Sequence, residues 1–148
     1  MNFLKNNRTF IVAEIGNNHE GSLSVAKKLI DQAKMSGVDA VKFQTIDPKN
    51  LMISDKKRLR QLEKFSFSNE KFIELYNYTK KKKLIFMSTP FSVNGAIFLN
   101  KYQNIFKISS GDNNFYSLIK CISNFNKTIF LSTGLTNIKQ IQMAKKII

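Results

Sequence analysis

The chain has 148 residues, 43% of them hydrophobic, which fits a single domain with a real core. Its net charge of +14 invites a nucleic-acid reading, but lysines are spread through every predicted helix and arginine is limited to Arg8, Arg58 and Arg60, a general compositional bias rather than a phosphate-binding patch. No apolar run of about 18 residues exists, residues 1–8 lack a signal-peptide core, and the lone Cys121 excludes an internal disulfide, so a cytoplasmic protein that binds neither membrane nor nucleic acid is expected.

In chain order, residues 10–15 are a short, apolar, β-branched run that reads as a buried strand. Ser22 caps a helix whose Leu23, Ala26, Leu29, Ile30 and Ala33 follow the 3.6 period, and Gly37 marks its end. Residues 40–44 form a second strand, and 45–67 a charged excursion, expected as a loop with a short helix. Ser68, with Glu70 in the first turn, opens a helix carrying Phe72, Ile73, Leu75 and Tyr76 inward; lysines at 80–83 complement its C-terminal dipole. Residues 84–88 are a third strand with Thr89-Pro90 as a rigid exit, and Ser92 caps the helix through Ala96, Ile97 and Leu99. A fourth strand at 105–108 precedes a helix around 116–122. A fifth at 128–131 precedes a last helix, with Thr136 as the expected cap and Ile138, Ile141, Met143 and Ala144 apolar.

Strands alternating with helices predict a parallel sheet covered by helices. A doubly wound sheet would carry a glycine-rich phosphate turn after its first strand, which Gly16-Asn17-Asn18-His19-Glu20-Gly21 does not match. A (β/α)8 TIM-type barrel, with its site on the loops after the strands, fits better. About five of eight βα units are read here, and a full barrel needs roughly 250 residues. The expectation is therefore an N-terminal barrel portion over residues 1–148.

Five polar signatures sit where these strands end: Ala13-Glu14-Ile15-Gly16, Val41-Lys42-Phe43-Gln44-Thr45, Ser88-Thr89-Pro90-Phe91-Ser92, Lys107-Ile108-Ser109-Ser110-Gly111-Asp112 and Leu131-Ser132-Thr133-Gly134. Parallel strands in one sheet would bring all five to one rim. Lys42 and Lys107 either snorkel to solvent or, with Thr89, Ser110 and Ser132, hold a phosphate or carboxylate. Gly111 and Gly134 would let backbone N–H groups approach that anion. Glu14 reads as a hydroxyl acceptor, a proton-transfer group or a buried ion pair. Asp112 reads as a helix cap or as the holder of a water or proton. Asn113 and Asn114 are turn formers first, and His19 is a loop histidine near the substrate mouth. Cys121 and His19 alone cannot build a Cys/His metal cluster.

Taken in order, and with Asn18-His19-Glu20-Gly21 and Asp112-Asn113-Asn114 added, this series resembles the sialic acid (N-acetylneuraminate and other nonulosonic acid) synthase family along essentially the whole chain. The resemblance implies a TIM barrel that condenses phosphoenolpyruvate with an N-acetyl amino sugar such as N-acetylmannosamine, giving a nonulosonic acid and phosphate. It places phosphoenolpyruvate on Lys42, Thr89, Lys107, Ser110 and Ser132, puts Glu14 and Asp112 in catalytic roles, and adds Gln44, His19 and Asn18 as further site candidates. Asp112 stands where many members have glutamate. The resemblance also implies a divalent metal, manganese or magnesium, a homodimer, and a C-terminal antifreeze-like domain. The family's metal-binding histidines belong to later strands, so a truncated frame, split gene or excised segment, inactive alone, is expected. Two alternatives stand beside this reading: a Schiff-base aldolase barrel using Lys42 or Lys107, and a basic binding module.

Overall fold

The computed structural model describes residues 8–48 and 55–148. The elements run β1 (Val12–Gly16), α1 (Leu23–Met35), β2 (Ala40–Thr45), α2 (Lys56–Phe65), α3 (Asn69–Lys81), β3 (Ile85–Pro90), α4 (Val93–Leu99), β4 (Ile105–Ile108), α5 (Tyr116–Ser123), β5 (Thr128–Leu131) and α6 (Ile138–Ile147). A 3-10 turn, Ser110–Asp112, follows β4. No described helix is long and apolar enough to cross a membrane.

Local chemistry sets the helix boundaries. The Ser22, Ser68 and Ser92 hydroxyls accept from Val25, Lys71 and Gly95 N–H groups, as expected of N-caps. Gly37 takes φ +75° just past α1, and its N–H donates to Lys34 O at 3.1 Å. The 45–67 excursion holds more helix than its charge pattern predicts. Asp55 accepts from Lys57 N–H (2.8 Å) and Arg58 N–H (3.2 Å), starting a ten-residue α2 that buries only Leu62. The part of that excursion at 49–54, like residues 1–7, lies outside the described residues.

Thr136 is not the cap of α6. Asn137 Oδ1 accepts from Gln140 N–H and Gln140 Oε1 accepts from Asn137 N–H, both at 3.0 Å, a reciprocal capping box. Thr136 instead donates its hydroxyl to Gln140 Oε1 at 2.8 Å. Asn137→Ala should therefore cost about 1 kcal/mol in urea unfolding, while Thr136→Val should cost less; the reverse order would contradict the assignment.

All strand pairs are parallel, but they form two ladders, β1-β2-β3 and β4-β5, rather than the single sheet expected. No backbone ladder joins β3 to β4 among the described residues. Gln103, buried just before β4, bridges them with its side chain. Its Oε1 accepts from Ser88 N–H (2.6 Å) and its Nε2 donates to Ser88 O (3.0 Å).

Side chains alternate across a strand with period two, and this separates two cores. Val41, Phe43, Phe86, Phe106 and Ile108 face the helices and join Ile30, Leu75, Leu99, Leu118, Ile119 and Ile122 in the main cluster. Ala40, Met87 and Ile105 on the opposite face form a small second cluster with Val12 and Ile85. Two residues further along the same face stand Glu14, Lys42, Thr89 and Lys107. The apolar floor and the polar rim are thus successive positions of one strand face.

Candidate functional site

The register places Glu14 directly opposite Lys42 across β1-β2, and Gln44 opposite Thr89 across β2-β3. Glu14 Oε2 pairs with Lys42 Nζ, the lysine largely buried and the carboxylate half exposed. Glu14 lies inside β1 rather than at its end, because the strand continues through an irregular register to Gly16. Gly16 takes φ +53°, and a Cβ there would meet Glu14 Oε1 at 3.2 Å and Gln44 Nε2 at 3.6 Å. A side chain would press on the Glu14 carboxylate as well as strain the backbone. Lys42 Nζ also donates to Thr89 Oγ1 at 3.3 Å, so the first three signatures meet at one ammonium.

The fourth and fifth signatures meet at the other lysine. Lys107 Nζ donates to Ser132 Oγ, and to Ile108 O at 3.2 Å. Burial and the nearby Lys42 charge hold its pKa below the usual lysine range, with Glu14 opposing. The two ammonium groups therefore share one partly desolvated region although they stand on different ladders. Two close cations against a single paired carboxylate form a site that favours a bound anion.

Ser110 is half-buried in the 3-10 turn after β4, and its carbonyl accepts from Asn113 Nδ2 at 2.7 Å. The same amide donates to Gly134 O at 2.9 Å, tying the β4 and β5 exit loops together. Asn113, expected mainly as a turn former, is thus the strut of this side of the rim. Asp112 is not the cap of α5, whose N-cap is Phe115 without a side-chain bond. Burial raises its pKa, with a Ser109 hydrogen bond opposing, and its Oδ2 is buried without a hydrogen-bond partner. A carboxyl in this state holds a proton more readily than an exposed aspartate. Neither glycine is demanded by space. Gly111 N–H turns to Ser109 Oγ (3.3 Å), and a Cβ at Gly134 would make only ordinary contact with Ser110 at 3.5 Å.

The β1–α1 turn differs most from expectation. Asn18 is exposed, but His19 is 1% exposed and far from being a histidine at an open mouth. Its ring stacks on Phe67 at 4.1 Å, and Nδ1 accepts from Gly21 N–H at 3.1 Å. Burial lowers its pKa to about 4, so the ring is neutral with the proton on Nε2. That Nε2 is buried without a partner. Gly21 takes φ +81°, and a Cβ there would lie 2.1 Å from Lys64 O, so only glycine lets the turn press against the end of α2. Asn17, missed in the sequence reading, donates Nδ2 to Gln44 Oε1 at 2.9 Å and so fixes the Gln44 amide. Among the described residues no three His, Cys, Asp or Glu side chains come together as metal ligands. The residues present do not fit the implied metal, and no step below runs through one.

With this geometry in place, comparison with known proteins is decisive on kinship. A family model described as the NeuB family matches residues 29–148. The chain belongs to the NeuB family. It is 36% identical over 156 residues to N,N'-diacetyllegionaminic acid synthase of Campylobacter jejuni, covering 95% of this chain and 47% of that protein. Its fold is similar to that of N-acetylneuraminic acid (sialic acid) synthetase from Leptospira borgpetersenii, solved in complex with citrate: TM-score 0.92, 30% identity, 95% of this chain and 50% of that one. A 3-deoxy-D-arabino-heptulosonate 7-phosphate synthase from Thermotoga maritima, at 11% identity and TM-score 0.69, shares the fold alone. This NeuB-family chain thus spans about half the length of the relatives it matches, and its fold is of their α/β, TIM-barrel-like kind. The relatives are synthases, which favours neither the aldolase nor the binding-module alternative.

Proposed function

We propose that the rim is the phosphoenolpyruvate side of a nonulosonic acid synthase built on a TIM-type barrel. The observation that carries this is the convergence of Lys42 and Lys107, from separate ladders, with Thr89 and Ser132 as their hydroxyl partners. Phosphoenolpyruvate has a phosphate and a carboxylate at neighbouring carbons. Two ammonium groups with flanking hydroxyls suit such a ligand, since charge-assisted hydrogen bonds are about twice as strong as neutral ones.

In the proposed reaction C3 of phosphoenolpyruvate attacks the aldehyde carbon of an open-chain N-acetyl amino sugar, forming the new C–C bond as the aldehyde C=O opens and its oxygen takes up a proton. Water adds at C2, and the tetrahedral intermediate expels phosphate by C–O cleavage. Ser110, in the turn that follows β4, completes the phosphoenolpyruvate contacts. Asp112, with its raised pKa, takes the proton of the adding water. Glu14 and Gln44, both beside Gly16, receive a sugar hydroxyl, and the exposed Asn18 lines the approach. The amino sugar, the homodimer and the cytoplasmic setting belong to the same reading.

Titration calorimetry of this chain with phosphoenolpyruvate tests it. Saturable binding that weakens with added salt and is displaced by inorganic phosphate is expected. Binding that ignores phosphate, or none at millimolar ligand, would refute the anion half-site.

A further inference from the structure

The two lysines of the rim stand on opposite sides of a seam. Lys42 and Thr89 belong to the β1-β2-β3 ladder, Lys107 and Ser132 to β4-β5 and the residue after it. Backbone hydrogen bonds fix the spacing within each ladder. None from a β3–β4 ladder does so across the seam. An anion held from both sides needs that spacing kept to a few tenths of an ångström, because hydrogen bonds weaken steeply with distance and angle.

Gln103 supplies the missing joint. Its side-chain amide offers an acceptor and a donor side by side, as a strand peptide would, and uses them on Ser88 N–H (2.6 Å) and Ser88 O (3.0 Å). The side chain sits in a residue only 3% exposed, so water does not compete for these bonds. The Gln103 main chain is held too: its N–H donates to Leu99 O at the end of α4 (3.1 Å), and its carbonyl accepts from Lys127 Nζ just before β5 (2.7 Å). On the far side, Ser88 Oγ bonds Thr45 Oγ1 at 2.7 Å, and Thr89 follows immediately. A continuous chain of hydrogen bonds, buried from Thr45 through Ser88 to the Gln103 amide and part-buried at Lys127, therefore runs from β2 to the start of β5.

We propose that Gln103 is a positioning residue, setting the distance between the Lys42 and Lys107 ammonium groups so that one anion spans both. The proposal rests on the anion reading of the rim. Gln103 touches no reacting atom and moves no proton. Replacing it with an apolar side chain strands the Ser88 N–H and carbonyl, and the seam must shift to find them partners.

The test uses Gln103→Met, close in volume, on the whole chain, with two readouts. The first needs no ligand: NMR titration of Lys107 in lysine-labelled protein, with and without Lys42→Met. In the parent, removing the Lys42 charge should raise the Lys107 pKa. In Gln103→Met that response should fall by roughly half or more, because repulsion decays with separation and with entering water. A role confined to stability would lower the melting temperature and leave the response unchanged, and that result in a folded variant would overturn the proposal. The second readout is phosphoenolpyruvate affinity, expected to drop about tenfold, the equivalent of about 1.4 kcal/mol. Should Gln103→Met fail to fold, Gln103→Asn keeps the amide but shortens its reach, and the same criteria apply. Absence of phosphoenolpyruvate binding by the parent would sink the functional reading, while the lysine titration would still judge the joint.

Discussion

On the proposed reading, Lys107→Ala should weaken phosphoenolpyruvate binding by about 30-fold, the largest effect expected of any single change at the rim. A hydrogen bond to a charged group contributes about 1.5–3 kcal/mol, and each 1.4 kcal/mol is tenfold in affinity. Lys107 meets the condition for a strong contribution because its ammonium is partly desolvated and its pKa is depressed by burial and by Lys42. An approaching anion relieves both penalties. Lys42→Ala should cost less, because the Lys42 charge is already largely engaged by Glu14 and is less available to the ligand. The double variant should lose less than the product of the single effects, since each removal also eliminates the repulsion between the lysines. Calorimetry at fixed ionic strength measures all three. Lys107→Ala within twofold of the parent would remove Lys107 from the site.

Acid should destabilise the chain through His19, by about 3 kcal/mol between pH 7 and pH 4. The sign follows from the depressed pKa. The unfolded ring titrates at its ordinary value of 6.5, whereas the native ring, stacked on Phe67 and 1% exposed, resists protonation until about 4. Stability from this group is therefore complete above pH 6.5 and is lost as pH falls toward 4, at about 1.36 kcal/mol per unit. His19 is the only histidine in the chain, which makes the comparison clean. His19→Phe preserves the stack and removes the titration, so its unfolding free energy should be flatter by about 3 kcal/mol over that interval. Asp112, whose pKa is raised, acts in the opposite direction, gaining stability as pH falls, but it is present in both proteins and cancels in the difference. At pH 7 the variant should be modestly less stable, because Gly21 N–H loses its acceptor. Parallel pH profiles for the two proteins would show that His19 is protonated without penalty and not buried as described.

The helix starts at Ser22, Ser68 and Ser92 were legible because a cap is a local matter of one side chain and an N–H three residues on. The choice of Asn137 over Thr136 was not, since both are competent caps and the reciprocal bond with Gln140 decides between them. The strands at 105–108 and 128–131 were legible from apolar, β-branched runs. Their ladder was not, because pairing depends on residues far apart in the chain. Among rim residues, Lys42, Thr89, Lys107 and Ser132 stood out as polar groups ending apolar strands. Asn17, Gln103 and Asn113 carried no comparable signal: each is a polar residue in a turn or loop, where such residues are ordinary.

By itself, then, the sequence determined the order of strands and helices, the family resemblance, and the polar positions at the strand ends. These rest on short-range periodicity and on residue identity. Tertiary structure alone decided that the strands divide into two ladders, that Gln103 rather than a backbone peptide closes the seam, and that His19 is stacked in the core. Each of those depends on which distant groups exclude water together, and burial of that kind has no signature in local spacing.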